Sequence, residues 1–348
     1  MKNPYLEISG RKVGYDYKPL VIAEIGINHG GSLELAKNMA DSAVSAGIEV
    51  IKHQTHIVAD EMSQEANRDK VGYLGKTIFE LMDECALNEQ EEFELKRYVE
   101  SKGAIFISTP FSRAAANRLF EFDIPAFKIG SGECNNYPLI EHICKFNKPV
   151  ILSTGMNTIK SVAKAVKIFN NAKVPLALLH TTNLYPTPYH LVRYGGMTEL
   201  SNAFPQNVFG LSDHTLSNHV CFGAVALGAS ILERHFTDHK ERTGPDIVCS
   251  MDEKECKELI NGSNLIWQMR GGSKEPAKEE KVTIDFAFAT VVSIKKIKKG
   301  ERFSMDNLWV KRPGTGEIPA EKLNEIIGKI SNNDIDNDKH LLYTDIKK

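Results

Sequence analysis

The feature that most constrains this chain is an alternation repeated eight times along its first 270 residues. A short β-branched or apolar run ends in polar residues, a stretch with helical spacing follows, and the next run begins. The predicted strands cover 21–28, 49–54, 104–109, 126–130, 149–154, 175–181, 207–212 and 230–236. The predicted helices cover 32–47, 91–103, 113–122, 137–146, 159–170, 197–204, 218–228 and 252–271. In the first of these, Ser32 is a cap, Glu34 sits in the first turn, Leu35, Met39 and Ala43 share a face, and Gly47 ends the run. Eight strands alternating with eight helices predict an α/β fold, a (β/α)8 barrel over 1–270. An open doubly wound sheet is the alternative. Its glycine fingerprint is missing, because Gly26-Ile-Asn-His-Gly-Gly31 does not match G-x-G-x-x-G.

Beyond residue 270 the pattern stops. The run 271–284 is polar and charged and reads as a linker, and 285–348 breaks into short apolar pieces split by turns. Some 60 residues make a thin core, so this second domain is expected to dock on something larger. Net charge is −2, which gives no electrostatic argument for nucleic acid or an anionic membrane. No apolar run approaches the roughly 20 residues of a membrane helix, and Met1–Gly10 lacks the apolar core of a secretory signal. Cys85, Cys134, Cys144, Cys221, Cys249 and Cys256 form no Cys-x-x-Cys pair and are expected to be reduced thiols in a cytoplasmic protein.

In a (β/α)8 barrel the chemistry lies at the C-terminal ends of the strands. Polar residues gather there in this sequence. The ends carry, in order, Glu24 with Asn28-His29; Lys52-His53-Gln54-Thr55-His56; Ser108-Thr109; Lys128, Ser131 and Glu133; Ser153-Thr154; His180-Thr181-Thr182-Asn183 and Tyr185; Ser212-Asp213-His214; and Glu233-Arg234-His235. Singly, such hydroxyls satisfy strand ends and such lysines are solvated. Together, Lys52 and Lys128 with Thr109, Ser131, Ser153 and Ser212 describe a pocket for a phosphate or carboxylate. His214 and His235 end neighbouring strands and could hold a divalent metal such as Mn²⁺, Mg²⁺ or Co²⁺ with water and substrate oxygens. His29, His53 and His56 stay ambiguous, while His142, His239 and His340 read as ordinary hydrogen-bonded or surface histidines. Glu24 lies in the apolar run Val21-Ile-Ala-Glu-Ile-Gly26, where a carboxylate is costly unless paired. Lys52 is the nearest candidate partner, in a structural or a catalytic role.

These residues also carry a family resemblance. Glu24-Ile-Gly-Ile-Asn-His-Gly-Gly31, Lys52-His-Gln-Thr-His56, Ser108-Thr-Pro-Phe-Ser-Arg113, Lys128-Ile-Gly-Ser-Gly-Glu-Cys-Asn-Asn136, Leu211-Ser-Asp-His214 and Leu232-Glu-Arg-His-Phe-Thr237 resemble bacterial N-acetylneuraminate (sialic acid) synthases. Gly244-Pro-Asp246 fits the same pattern, and Val310-Lys-Arg-Pro-Gly314 resembles their C-terminal antifreeze-like (SAF) domain. The resemblance implies condensation of phosphoenolpyruvate with N-acetylmannosamine. It implies that His214 and His235 hold the metal, Mn²⁺ first, and that Glu24 assists attack and water addition. Lys52, Thr109, Lys128, Ser131, Ser153, Asn183 and Ser212 would bind phosphoenolpyruvate, and Gln54, Glu133, Tyr185 and Asp246 the sugar. Arg312 would reach the N-acetyl group from the partner subunit of a domain-swapped homodimer. The sequence departs from the family's Pro-Gly-Asn, whose Asn touches sugar hydroxyls, by reading Lys70-Val-Gly-Tyr73. That keeps legionaminic or pseudaminic acid synthesis, from a 6-deoxy-2,4-diacetamido sugar, as the sibling expectation. A non-catalytic carbohydrate-binding protein is the alternative of another class.

Overall fold

A computed structural model describes residues 3–68 and 75–347; the Lys70-Val-Gly-Tyr73 departure lies outside them. The chain divides into two compact units, 1–270 and 271–348.

The first unit opens with an antiparallel hairpin, β1 (Tyr5–Ile8) and β2 (Arg11–Gly14). Ser9 and Gly10 turn it with φ of 49° and 82°, the left-handed geometry that two-residue hairpins require. Eight parallel strands follow: β3 (Leu20–Gly26), β4 (Val50–Thr55), β5 (Ile105–Pro110), β6 (Phe127–Ile129), β7 (Val150–Ser153), β8 (Leu176–Thr181), β9 (Val208–Asp213) and β10 (Ile231–His235). β10 pairs with β3, which closes the sheet into the expected barrel and excludes the open alternative. The main helices are α1 (Leu33–Ser45), α2 (Val58–Glu61), α3 (Ile78–Cys85), α4 (Glu89–Ser101), α5 (Arg113–Glu121), α6 (Tyr137–Cys144), α7 (Ile159–Ala172), α8 (Tyr194–Ala203), α9 (His219–Ala226) and α10 (Glu253–Met269). Local chemistry starts them: Ser32 accepts from the Leu35 N–H, and Asn88, Thr158 and Asp252 form reciprocal capping boxes.

Strand side chains alternate between two cores. One set, including Val21, Ala23, Ile51, Phe106, Phe127 and Leu152, packs against the helices. The other, including Leu20, Ile22, Val50, Ile107, Ile151, Ala177, Leu179, Val208 and Ile231, fills the barrel floor together with Leu6, Ile8 and Val13 of the hairpin. The hairpin therefore plugs the bottom of the barrel. Continuing the inward set toward the strand ends gives Glu24, Lys52, Gln54, Thr109, Lys128, Ser153, Thr181, Ser212, Glu233 and His235. That parity positions the site.

The second unit holds α11 (Lys281–Ala287), β11 (Thr290–Ser293), β12 (Leu308–Lys311) and α12 (Leu323–Ile326). Val291, Ile297, Phe303, Leu308, Ile318, Ile335 and Leu341 form its own core. α11 corrects the expected linker, since it starts inside 271–284. Its Asp285 carbonyl accepts from the Gly314 N–H at 2.7 Å, so this helix is tied to the second unit. Among the described residues no helix is long and apolar enough to cross a membrane. All six cysteines are buried and free.

Candidate active site

One pocket at the strand ends is lined by Glu24, Lys52, Gln54, Thr109, Lys128, Ser131, Ser153, Asn183, Tyr185, Ser212, His214 and His235, together with Glu233. The strand register explains the assembly: Glu24 lies opposite Lys52 on β4 and opposite His235 on β10, and Gln54 lies opposite Thr109.

The buried charges form a chain. The Lys52 ammonium contacts the Glu24 carboxylate and donates to Thr109 Oγ1 at 3.1 Å. Lys128 donates to Ser153 Oγ at 2.7 Å and to the Ile129 carbonyl at 3.0 Å. Glu233 stands between the two lysines, 3.8 Å from Lys52 and 3.7 Å from Lys128, and accepts from Ser212 Oγ at 3.1 Å. Burial pulls both ammonium groups below the usual lysine range, with Glu233 opposing the shift at each. Burial also works against the charge on Glu233, but Lys128 and Lys52 outweigh it and hold its pKa below the ordinary carboxylate value. Two lysines and two carboxylates buried together make a polarised site whose charges an anionic ligand can rearrange.

A second wall is built from hydroxyl and backbone. Ser131 Oγ accepts from the Gly155 N–H at 3.0 Å. A Cβ on Gly155 would overlap Asn183 Oδ1 and press on Ser131 Oγ at 2.9 Å, so only glycine lets these groups converge. Asn183 Oδ1 is buried with no hydrogen-bond partner among the described residues.

Opposite lies the histidine pair. The rings of His214 and His235 are 5.4 Å apart between centroids, and Tyr185 stacks on His214 at 4.1 Å. Burial, aided by the neighbouring His235 charge, lowers His214 to about 4; burial, aided by Lys52, lowers His235 to about 3. Both rings are therefore neutral at pH 7, the state that binds metal. His214 Nδ1 faces the Thr182 carbonyl at 2.9 Å, which makes that nitrogen the donor and leaves Nε2 with a lone pair. His235 Nδ1 faces Asp246 Oδ2 at 3.7 Å. Among the described residues no three His, Cys, Asp or Glu side chains are gathered for an ion. Two neutral imidazoles with open positions thus fit a divalent metal completed by water and substrate oxygens, and do not fit a closed structural site.

Some expected residues stand outside this lining. Glu133 follows Ser131 in the same turn but accepts from Asn136 Nδ2 at 2.5 Å. Asp246 stands behind the lining, its Oδ2 3.7 Å from His235 Nδ1 and its charge felt by Lys52, His214 and Tyr185. Arg312 belongs to the second unit, directly after β12. Of the ambiguous histidines, His53 faces outward to Glu92 at 3.2 Å and stacks on His29, whereas His56 holds Gln54 Oε1 at 3.2 Å. His142 and His340 bond Asn117 and Thr290. Two residues of the site have no role in the sequence reading: Glu233, named there only as part of a strand end, and Gly155, not named at all. The place of Glu233 follows from spacing, since it is two residues before His235 on one strand and must share its inward face.

Comparison with known proteins gives the family. The NeuB family model matches residues 39–275, and the SAF domain model matches 288–347. An N,N'-diacetyllegionaminic acid synthase of Campylobacter jejuni is 37% identical over 324 residues, covering 90% of this chain and 96% of that protein. The human N-acetylneuraminate-9-phosphate synthase is 30% identical, covering 92% and 90%. A crystal structure of the sialic acid synthetase of Leptospira borgpetersenii superposes with TM-score 0.75 at 28% identity, covering 81% of this chain and 95% of that one. A (β/α)8 barrel with this mouth, followed by a SAF domain, makes the chain a member of the NeuB family, enzymes that condense phosphoenolpyruvate with a sugar.

Proposed function

We propose that this enzyme joins phosphoenolpyruvate to the open-chain form of an N-acetylated amino sugar, taking up water and releasing phosphate. The observation that carries the reading is the pair of buried lysines, Lys52 and Lys128, each aimed into a mouth lined by hydroxyls, amide groups, the His214–His235 pair and the carboxylates of Glu24 and Glu233. Two ammonium groups held out of water bind a polyanion far better than exposed ones, because their charges are not screened. Lys52, Lys128, Thr109, Ser131, Ser153, Asn183 and Ser212 hold the phosphate and carboxylate of phosphoenolpyruvate. Gln54, Glu133, Tyr185 and Asp246 orient the sugar. Arg312 reaches the N-acetyl group from the SAF domain of a swapped homodimer.

His214 and His235 would hold the metal, Mn²⁺ in the first instance with Mg²⁺ or Co²⁺ as alternatives, which when bound polarises the sugar aldehyde. The rest is done by the chain. The lysines fix the enol face against the aldehyde carbon. A bond forms from C3 of phosphoenolpyruvate to that carbon as the carbonyl π bond breaks toward its oxygen, leaving C2 cationic and the former aldehyde oxygen an alkoxide. Glu24, already against Lys52, stabilises the cation and takes a proton from the water that adds there. The C2–O bond to phosphate then breaks as the C2 hydroxyl becomes the ketone, its proton leaving with the phosphate, and the proton held by Glu24 goes to the sugar alkoxide. We place the reaction in the cytoplasm, where six free thiols stay reduced.

N-acetylmannosamine is the first acceptor to try. The 6-deoxy-2,4-diacetamido sugar is the second reading, favoured by the higher identity to the Campylobacter legionaminic acid synthase and by Lys70-Val-Gly-Tyr73 in place of Pro-Gly-Asn. Phosphate release from phosphoenolpyruvate with Mn²⁺ is measured with each sugar in turn. Sugar-dependent, chelator-sensitive release is expected, and the ratio of kcat/KM names the acceptor. Release that ignores both sugars would contradict the condensation.

A further inference from the structure

Arg234 is the largest fully buried side chain of the described residues, and it lies outside the reaction pocket. It belongs to the outward-facing set of β10, between the barrel wall and the helices. A guanidinium there is expensive; a hydrophobic residue of similar volume would serve packing as well or better. Its contacts show what the charge is for. Nη1 donates to Asn218 Oδ1 at 2.6 Å, Nη2 donates to the Thr215 carbonyl at 2.7 Å, and Nε lies 3.4 Å from Asp213 Oδ2. Every one of these partners falls within 213–218, the segment that leaves β9. Asp213 in turn accepts from the Thr215 N–H at 3.1 Å and from Thr215 Oγ1 at 2.9 Å. The segment is thus wound around one guanidinium and its carboxylate.

His214 sits inside that segment, and His235 is the residue that follows Arg234. Arg234 is therefore joined covalently to one histidine of the pair and by a rigid fork to the loop that carries the other. The remaining anchors of His214 are the Thr182 carbonyl on its ring and the Thr187 N–H on its own carbonyl, 2.9 Å each. From the other side, the His235 carbonyl accepts from the Met251 N–H at 2.8 Å.

We propose that Arg234 is a positioning residue that sets the separation of His214 and His235, acting through Asp213, Thr215 and Asn218. The proposal rests on the metal reading of that pair given above. A lysine in its place keeps the charge but loses the planar fork, so it can reach one partner and not three. The pair then opens, and metal is bound more weakly while Lys52 and Lys128, held by Thr109 and Ser153 on other strands, stay in place.

The direct test is Mn²⁺ titration followed by the paramagnetic resonance of the free ion. It is run on wild type, Arg234→Lys, Asn218→Ala and His235→Ala, with melting temperature and metal-free phosphoenolpyruvate binding as controls. Arg234→Lys is expected to raise the Mn²⁺ dissociation constant about 10- to 100-fold, the usual cost of losing an outer support of a metal ligand. Asn218→Ala, which removes one arm of the fork, is expected to raise it roughly threefold, a fraction of that cost. Phosphoenolpyruvate binding should not change, and kcat should recover at saturating Mn²⁺. Wild-type Mn²⁺ affinity in folded Arg234→Lys, with binding lost in His235→Ala, overturns the proposal alone. Should Arg234→Lys fail to fold, unchanged affinity in Asn218→Ala overturns it equally, and a threefold loss supports it. Wild-type affinity in His235→Ala would instead show that the metal reading itself is wrong.

Discussion

The floor and the mouth of this barrel are built from the same eight strands on the same side-chain parity, yet they obey opposite rules. At the floor, Leu20, Ile22, Val50, Ile107, Ile151 and Leu179 meet the hairpin residues Leu6, Ile8 and Val13 in a dry apolar plug. One or two steps further along the strands, the inward positions become Glu24, Lys52, Lys128 and Glu233, equally buried and ionisable. Burying a leucine or isoleucine contributes about 1.5–3 kcal/mol. Burying an ion pair contributes little or nothing net, because desolvation cancels the attraction. The lower half of each strand stabilises the fold, and the upper half is carried by that stability.

The comparison can be broken at several points. The largest expected effect is at Glu24: Glu24→Gln keeps shape and removes charge, and should cut kcat about 10³-fold, the scale of a lost general base, with a loss of stability limited by Glu233, which remains as a partner for Lys52. Steady-state phosphate release beside a thermal melt checks it, and retained turnover would remove Glu24 from the chemistry. Leu20→Ala should do the reverse. A fully buried leucine at the floor is expected to cost about 3 kcal/mol of stability while the folded fraction keeps its kcat, which a urea titration and an active-site count can separate. Reduced kcat per folded molecule would mean that floor and mouth are coupled.

The smallest effect uses pH. His29 is held to about 3 by burial and then by the His53 charge, and His214 and His235 to about 4 and 3, against 6.5 when unfolded. Below pH 6.5 the unfolded chain binds protons that the folded chain refuses. Stability is therefore full above that value and is lost as pH falls toward the folded pKa values. Between pH 7 and 5.5, before carboxylates titrate, each such histidine should cost about 1.2 kcal/mol. His235→Gln should shrink the pH step in unfolding free energy by that amount, whereas Leu20→Ala should leave the step unchanged. An unchanged step in His235→Gln would mean that this ring is not buried neutral.

Much of this was legible in the sequence because period two and period 3.6 are written directly into side-chain polarity. All eight barrel strands and the residues at their ends follow from it. Closure does not, since strand counting cannot show that β10 pairs with β3. The hairpin was missed although Leu6 and Ile8 alternate with polar residues, because four-residue strands carry too little periodicity to register. Glu233 is named at its strand end but given no role, because three polar residues in a row, Glu233, Arg234 and His235, hide which faces inward. Gly155 has no sequence signal at all. Its need arises only when Ser131 and Asn183, from two other loops, converge on it. α11 escaped because its residues Lys281–Ala287 follow a charged run and the helix is held by Gly314, distant in sequence.

The most direct measurement is a paired one on Lys128→Met, which swaps a buried ammonium for a chain of similar length. Phosphoenolpyruvate binding by calorimetry and unfolding by urea are measured on the same preparation. Phosphoenolpyruvate affinity of the folded protein should fall at least about 10²-fold, as for a lost charge-assisted contact in a desolvated site, while stability falls by about 3 kcal/mol, because Glu233 is left with Lys52 alone. Phosphoenolpyruvate bound as tightly as by wild type would contradict the claim that the charged mouth exists to hold that ligand.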